Sequence, residues 1–499
     1  MSSKFPERVG EVSSPRRAVP RRLEYRSNGD PYRDEPGFLD RRSIVAPPGY
    51  NRSRVPLAAL AVHLSIGSAY AFSTFNLPLT RQIGISQSAP GDWSLSEVGW
   101  IFSIAIVLLG LSAAVFGRWV ERVGPRKAMF TAALCFGGGF LVSAVGIRLH
   151  EIWLLYVGYG VLGGCGLGIG YISPVSTLIK WFPDRPGMAT GLAIMGFGGG
   201  AIIAAPLSLF LMEQFRTATS NGVLKTFVTM GVLYFALMMI GAAAVRVPAP
   251  DWKPERWVPP AQPNKLVTSA NVLVEVAWRT PQFWLLWGVL CMNVTAGIGV
   301  LSQASPMIQE MFGSVVSPAG AAGFVGLLSL FNMGGRFLWA WTSDSLGRRN
   351  TYTLIFVLGI ALYSLVPMAG KLGSITAFIG AFAIIISLYG GGFSTIPAYL
   401  RDMFGTINVG AIHGRVLTAW SAAGVLGPVL VNYIRQHQID SGVAPAQAYS
   451  TTMYIMCGLL VVGLLCNLAM RQVNERYHYR EPAGGQQATT QGSTARIAS

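Results

Sequence analysis

Charge is scarce in this sequence. Lys, Arg, Asp and Glu make up 12% of the 499 residues, where a typical soluble chain carries about 25%. Beside a hydrophobic content of 52%, that shortage excludes an ordinary soluble globule and points to a polytopic membrane protein. Acids are scarcer than bases: 22 Asp and Glu stand against 38 Lys and Arg, a net charge of +16. A nucleic-acid partner is excluded because the bases lie between and outside apolar runs and form no groove-like stripe; membrane topology accounts for them. Cysteine is sparse too. Cys135, Cys165, Cys291, Cys457 and Cys466 all fall inside apolar runs. An odd number with no metal-ligand spacing excludes a disulfide framework and a metal site. The first 54 residues lack the apolar core and small-residue cleavage site of a signal peptide. Polar, Arg-rich and Pro-rich, residues 1–54 read as a disordered cytosolic tail.

Apolar runs are what the chain has in abundance. Twelve are long enough to span: roughly 55–79, 97–117, 127–147, 152–179, 187–211 and 224–246, then 281–308, 318–342, 350–369, 373–400, 411–434 and 447–470. A helix needs about 20 residues to cross about 30 Å of hydrocarbon. A β-barrel would instead show alternating segments of about 10 residues. The expected fold is an all-α membrane protein. A linker at 247–280, rich in Pro, Trp and charge, divides the spans into bundles at 55–246 and 281–471, with a C-terminal tail at 472–499. With the N-terminus inside, the inner side carries 31 Lys and Arg and the outer loops six, Arg336 being the one left within a span. Both termini are therefore expected in the cytoplasm.

The halves repeat. "VERVGPRK" (120–127) returns as "SDSLGRRN" (343–350), so Glu121 and Asp344 lie 223 residues apart, as do Gly124 and Gly347. Pro174 and Pro397 share that offset, and Pro206 and Pro428 are 222 apart. The chain reads as two pseudo-symmetric six-helix bundles from one duplicated unit. Glycine-rich "GCGLGIGY" and "GFGGGA" lie within apolar runs. A dinucleotide loop would have to follow a strand and expose its amides, so no cofactor is called for. In lipid such small-residue faces let helices approach closely.

The twofold six-helix repeat with an acidic–Gly–basic loop after the second and eighth spans resembles the major facilitator superfamily. "GYISPVSTLIKWFPDRPGMATGLAIMGFGGGAIIAAPL" (170–207) and "NMGGRFLWAWTSDSLGRRN" (332–350) are more closely similar to the oxalate/formate antiporter family. The resemblance implies a secondary transporter of small carboxylates in a plasma membrane, most simply a bacterial inner membrane. Its partners would be a small organic anion, protons and lipid, with a monomer as the working unit. The alternatives are an oxalate or other dicarboxylate exchanger, an exporter of larger organic anions or drugs, and, outside transport, a membrane sensor. An enzyme would need more intramembrane acids, bases or nucleophiles than this chain offers.

Arg336 is the sharpest single residue. A guanidinium cannot shed its charge, and no Asp or Glu lies deep in any span to pair with it. An anionic substrate is the expected partner, and the resemblance implies the same, since an eighth-helix arginine binds the carboxylate in that family. Asn332 lies one turn away on the same face and is placed to donate a second bond. His63, in the first span, is a candidate carrier of a coupling proton. Tyr70, Tyr171, Tyr389 and Trp420 are candidates to line the cavity. Oxalate-exchanging relatives have a lysine in the eleventh helix, where "GRVLTAWSAAGVLGP" (414–428) places Trp420. One cation suits one carboxylate, so a monocarboxylate is expected and oxalate is not. Gly117, Glu121, Gly124, Arg126, Asp344, Gly347 and Arg348 are expected to form a conformational latch between the halves.

Overall fold

A computed structural model describes residues 36–250, 252–255, 257, 266–268, 270–312 and 315–479. Among these, helices dominate and no sheet forms; isolated bridges join Val45 to Val247 and Thr217 to Ser220. Twelve long helices follow one another: α1 (Arg52–Leu79), α2 (Leu95–Val123), α3 (Pro125–Leu149), α4 (Ile152–Trp181), α5 (Pro186–Gln214) and α6 (Val223–Ala244), then α7 (Pro281–Phe312), α8 (Pro318–Leu346), α9 (Arg348–Lys371), α10 (Ile375–Phe404), α11 (Val409–Asp440) and α12 (Pro445–Leu468). Among the described residues, eleven of them contain stretches long and apolar enough to cross a membrane. α8 is 29 residues long and carries Asn332 and Arg336.

The sequence punctuates these helices locally. Ser94 and Glu97 form a reciprocal capping box at the start of α2. Gly124 (φ 83) and Gly347 (φ 80) end α2 and α8 in a conformation that only glycine adopts without strain, and α3 and α9 begin at once. These are the repeated loops, and the two copies have the same backbone.

Packing follows the repeat. In the first half α1 packs on α5, α2 on α4 and α3 on α6; in the second, α7 on α11, α8 on α10 and α9 on α12. The halves meet along α5–α8 and α2–α11. The duplication carries α2 onto α8 and α5 onto α11, so these contacts are copies of one another. Large apolar side chains such as Trp100, Val115, Ile240, Leu338 and Val429 remain exposed on the outer faces, as lipid-facing surface requires.

The described segments before α1 and after α12 and the described parts of the 247–280 stretch share one face, called here the terminal face: Ala46 bonds Val247, and Tyr479 bonds Asn271. The tail expected to be disordered splits in two. Residues 1–35 lie outside the described residues. Residues 36–54 pack against the body, with Ile44 buried and Arg52 bonded to Asp184 at 2.6 Å. Apolar Ile44 and the Arg52 charge find partners that composition alone does not reveal. Residues 251, 256, 258–265 and 269 in the 247–280 stretch, and 480–499 in the last tail, fall outside the described residues.

Candidate functional site

The predicted site residues arrive at one place from five helices. α1 runs as an ordinary helix to Gly67 and tightens into 3-10 turns from Ser68 to Phe75, which carry Tyr70. α11 breaks at Leu417, between Val409–Val416 and Thr418–Asp440, and Trp420 follows the break. α4 supplies Tyr171, α8 Asn332 and Arg336, and α10 Tyr389. Helices interrupted at this depth are tolerated where they line a cavity or a protein interior.

Arg336 is fully buried. Its Nε donates to Asn332 Oδ1 at 3.0 Å, and Nη2 reaches the Tyr70 hydroxyl at 3.4 Å. Its Cζ lies 4.9 Å from the Phe393 ring centroid, 5.7 Å from Phe197 and 6.0 Å from Tyr70. Three aromatic faces thus surround a fixed cation and keep water from it. Nη1 is buried with no hydrogen-bond partner. Snorkelling to an interface does not occur. The room for the arginine stem comes from α5: a Cβ on Gly198 would sit 2.8 Å from Arg336 Cδ and Nε.

The aromatic side chains form one cluster. Trp420 contacts Phe393 (4.7 Å between centroids), Phe197 (5.3 Å), Tyr171 (5.9 Å) and Tyr70 (6.4 Å). Tyr70 and Tyr389 face each other across the halves with hydroxyls 3.2 Å apart. The Trp420 indole N–H and the Tyr171 hydroxyl are buried without partners, like Arg336 Nη1. Three donors thus stand open within the cluster that holds the guanidinium, and each costs about 1–3 kcal/mol while it lacks an acceptor. Asn332 was expected to donate to the substrate. Its carboxamide oxygen instead accepts from Arg336 Nε, which fixes the guanidinium and leaves the Nη end free.

His63 does not reach the arginine directly. It stacks on Tyr171 at 5.3 Å, with Nδ1 2.6 Å from Ala193 O and Nε2 3.2 Å from Tyr171 O. Both neighbours are acceptors. A neutral imidazole donates to one of them at a time. His413, which sequence reasoning missed, is buried and packs on the same tyrosine ring at 5.6 Å. It stands near the start of the eleventh apolar run, two residues before Arg415. Phe197 and Phe393 were missed as well; a phenylalanine in an apolar run carries no signal.

The latch residues gather on the terminal face. Asp344, at the end of α8, accepts from the Gly187 and Met188 N–H groups at 2.8 Å each, at the start of α5. Glu121, at the end of α2, accepts from Gly410 N–H at 3.1 Å, at the start of α11, and pairs with Lys180 at 2.7 Å. Each loop acid therefore caps a helix N-terminus of the opposite half, where the helix dipole favours a negative charge. Arg348 pairs with Asp344 at 2.6 Å and with Asp402 at 3.1 Å. Gly117 lets α2 meet α11, where a Cβ would fall 2.8 Å from Ala411 Cα. Gly124 and Gly347 supply the turns. Arg126 stands apart from the latch: it donates to Ala242, Ala243 and Phe38 carbonyls and to Ser43 Oγ. Its fan of donors meets carbonyls at the end of α6 and the N-terminal segment, all within its own half.

Comparison with known proteins bears on the family and the fold. The Major Facilitator Superfamily profile matches residues 57–428. The chain is 27% identical over 374 residues to the oxalate:formate antiporter of Oxalobacter formigenes, covering 74% of this chain and 82% of the relative. It is 24% identical over 385 residues to monocarboxylate transporter 11 of Homo sapiens, covering 75% and 77%. The backbone superposes on the fucose:proton symporter FucP of E. coli with a TM-score of 0.59, over 84% of this chain and 99% of that one, at 13% identity; that likeness is one of fold alone.

Proposed function

The chain belongs to the major facilitator superfamily, and on that premise we propose that it carries small carboxylate anions across a membrane by alternating access, with a monocarboxylate of the formate, lactate or pyruvate type as cargo. The observation that carries this reading is Arg336: a fully buried cation with no acid paired to it among the described residues and an open Nη1, in the same aromatic cluster as Trp420 and Tyr171, whose donors are also open. A carboxylate docking there neutralises the guanidinium and gives all three donors an acceptor. The aromatic walls exclude water, so each charge-assisted bond counts for more than it would in solution. A dicarboxylate would bring a second charge with no second cation to meet it. The other buried arginines, Arg126 and Arg348, sit on the terminal face with partners of their own. The names of the relatives, an oxalate:formate antiporter and a monocarboxylate transporter, support the same substrate class.

In the proposed cycle the bundles 55–246 and 281–471 rock about the site, joined by the linker 247–280. The terminal face is cytoplasmic, in a bacterial inner membrane, which the 31-to-6 distribution of bases supports. Glu121 and Asp344 hold that face shut, and their release opens it. The return step carries either a second anion, as exchange, or a proton on His63, which lies between two carbonyl oxygens.

The test is uptake of labelled formate, lactate, pyruvate and oxalate into proteoliposomes, with and without a pH gradient and with and without anion inside. A monocarboxylate taken up on anion loading marks exchange; uptake driven by the gradient and lost in His63→Gln marks symport. Uptake of none of the four, or preference for oxalate, overturns the reading.

A further inference from the structure

A second feature lies away from the carboxylate site, between the first turns of α1 and α5 on the terminal face. Pro56, Leu57 and Leu60 of α1, Phe182 before α5, and Met188 and Leu192 of α5 line a groove of about 240 Å³. Its lining is apolar except for Ser53 at one end. Leu57, at its mouth, is 67% exposed, so the groove opens to the surroundings of the helix pair. Both helices are membrane spans, and those surroundings are the acyl region next to the headgroups.

The groove is held in shape from below. Arg52 donates to both Asp184 oxygens, at 2.6 and 2.9 Å, and to Trp181 O at 3.2 Å. Its guanidinium also covers the Phe182 ring at 4.6 Å. That network ties the start of α1 to the loop before α5 and fixes the two walls relative to each other. It also uses the one acid available there. Arg54 and Arg185, each one to three residues from the groove lining, are exposed and make no side-chain hydrogen bond or ion pair among the described residues. An apolar slot at membrane depth thus lies beside two exposed arginines, Arg54 and Arg185, at headgroup level. Guanidinium forks match phosphate oxygens, and basic pockets on the cytoplasmic side favour anionic headgroups.

We infer that this groove binds one anionic phospholipid, with an acyl chain along Leu57, Leu60 and Leu192 and the headgroup phosphate between Arg54 and Arg185. Charge complementarity selects the occupant. A neutral lipid would fill the slot and leave both arginines without an anion, and a free phosphate would leave the slot empty. Carboxylate transport does not enter this inference.

The test is native mass spectrometry of the detergent-purified full chain titrated with phosphatidylglycerol or phosphatidylcholine. The wild type should retain a single saturable phosphatidylglycerol and no saturable phosphatidylcholine. Arg54→Gln with Arg185→Gln should weaken phosphatidylglycerol about 30-fold, the worth of two basic side chains at an anionic headgroup. Arg122→Gln with Lys127→Gln, which removes two exposed charges elsewhere on the terminal face, should leave it unchanged. Leu57→Trp, at an exposed position where folding is not at stake, should block the slot and abolish saturable binding with both arginines intact. Equal retention of the two lipids, equal losses in the two charge-removal variants, or wild-type binding by Leu57→Trp would each overturn the assignment.

Discussion

Replacing Arg336 by methionine should raise stability and abolish transport at once. The empty site holds a guanidinium with full burial, one good hydrogen bond to Asn332 and a long one to Tyr70. Removing such a charge from water costs several kcal/mol even after relaxation. The rings of Phe393, Phe197 and Tyr70 return about 0.5–2 kcal/mol as cation–π attraction, and the two hydrogen bonds return about 1.5–3 kcal/mol each at most. Met fills much of the same volume with no charge to desolvate. Exchanges of buried ionic groups for apolar ones are commonly neutral or stabilising by about 1–4 kcal/mol, and the lost Asn332 partner removes about 1 kcal/mol of that gain. Arg336→Met should therefore melt at or above the wild type in detergent, followed by tryptophan fluorescence. The wild type alone should gain from substrate: at 100 times Kd, ligand adds about 2.7 kcal/mol. Uptake by the variant should be lost. A lower melting temperature together with intact uptake would mean that Arg336 supports the fold and holds no cargo.

The remaining predictions follow from the same geometry. Asp344→Asn removes a charge that two helix-terminal N–H groups and Arg348 share, so the closed terminal face should lose about 1.5–3 kcal/mol; Glu121→Gln, with one such N–H, should shift it less, and equal cysteine accessibility of that face in both variants and wild type would refute the latch. Trp420→Lys should melt lower when empty, since a mid-span lysine costs about 2.5–3.5 kcal/mol, and oxalate should restore stability more than formate; no preference for the dianion would refute the one-cation account. At Asp184 burial works to raise the carboxyl pKa, but bonds from Arg52 and the backbone outweigh it and leave the pKa depressed. Its contribution is therefore complete above the ordinary carboxylate range and is lost as pH falls through the depressed value. Asp184→Asn should lower the melting temperature at pH 7 and leave it unchanged near pH 2; a pH-independent difference would contradict this.

The sequence made the spans legible because hydrocarbon demands length and apolarity together. Their ends were less so: α2 reaches Val123 and α10 reaches Phe404, past apolar runs that stop near 117 and 400. The extra turns stand beyond the hydrocarbon, where polar residues continue a helix at no cost. Arg336 and Asn332 were legible because polarity in a span is rare, and their spacing of four residues places them on one face. The cage was only half legible. Tyr70, Tyr171, Tyr389 and Trp420 stood out as amphipathic residues, whereas Phe197 and Phe393 are indistinguishable from packing residues until the guanidinium is seen above them. Arg126 misled because the motif groups it with Glu121, yet side-chain direction sends it into its own half.

The repeat explains why the latches cross. Duplication makes α2 equivalent to α8 and α5 equivalent to α11, and the halves meet along α2–α11 and α5–α8. An acid placed at the end of α2 in the ancestral unit has only one helix start within reach across the boundary, that of α11; its copy at the end of α8 has the equivalent start, that of α5. One local feature, an acid before a glycine turn, thus becomes two contacts that hold the same face. The central site breaks the symmetry. Duplication of α8 onto α2 would place a partner to Arg336 at position 113, 223 residues earlier, and that residue is Ala113, buried against α4 and α11. In the proposed cycle the latch is used twice because closing a face needs both boundaries. On the same proposal the cation is used once, since a second guanidinium facing the first would leave two buried charges for one carboxylate to neutralise.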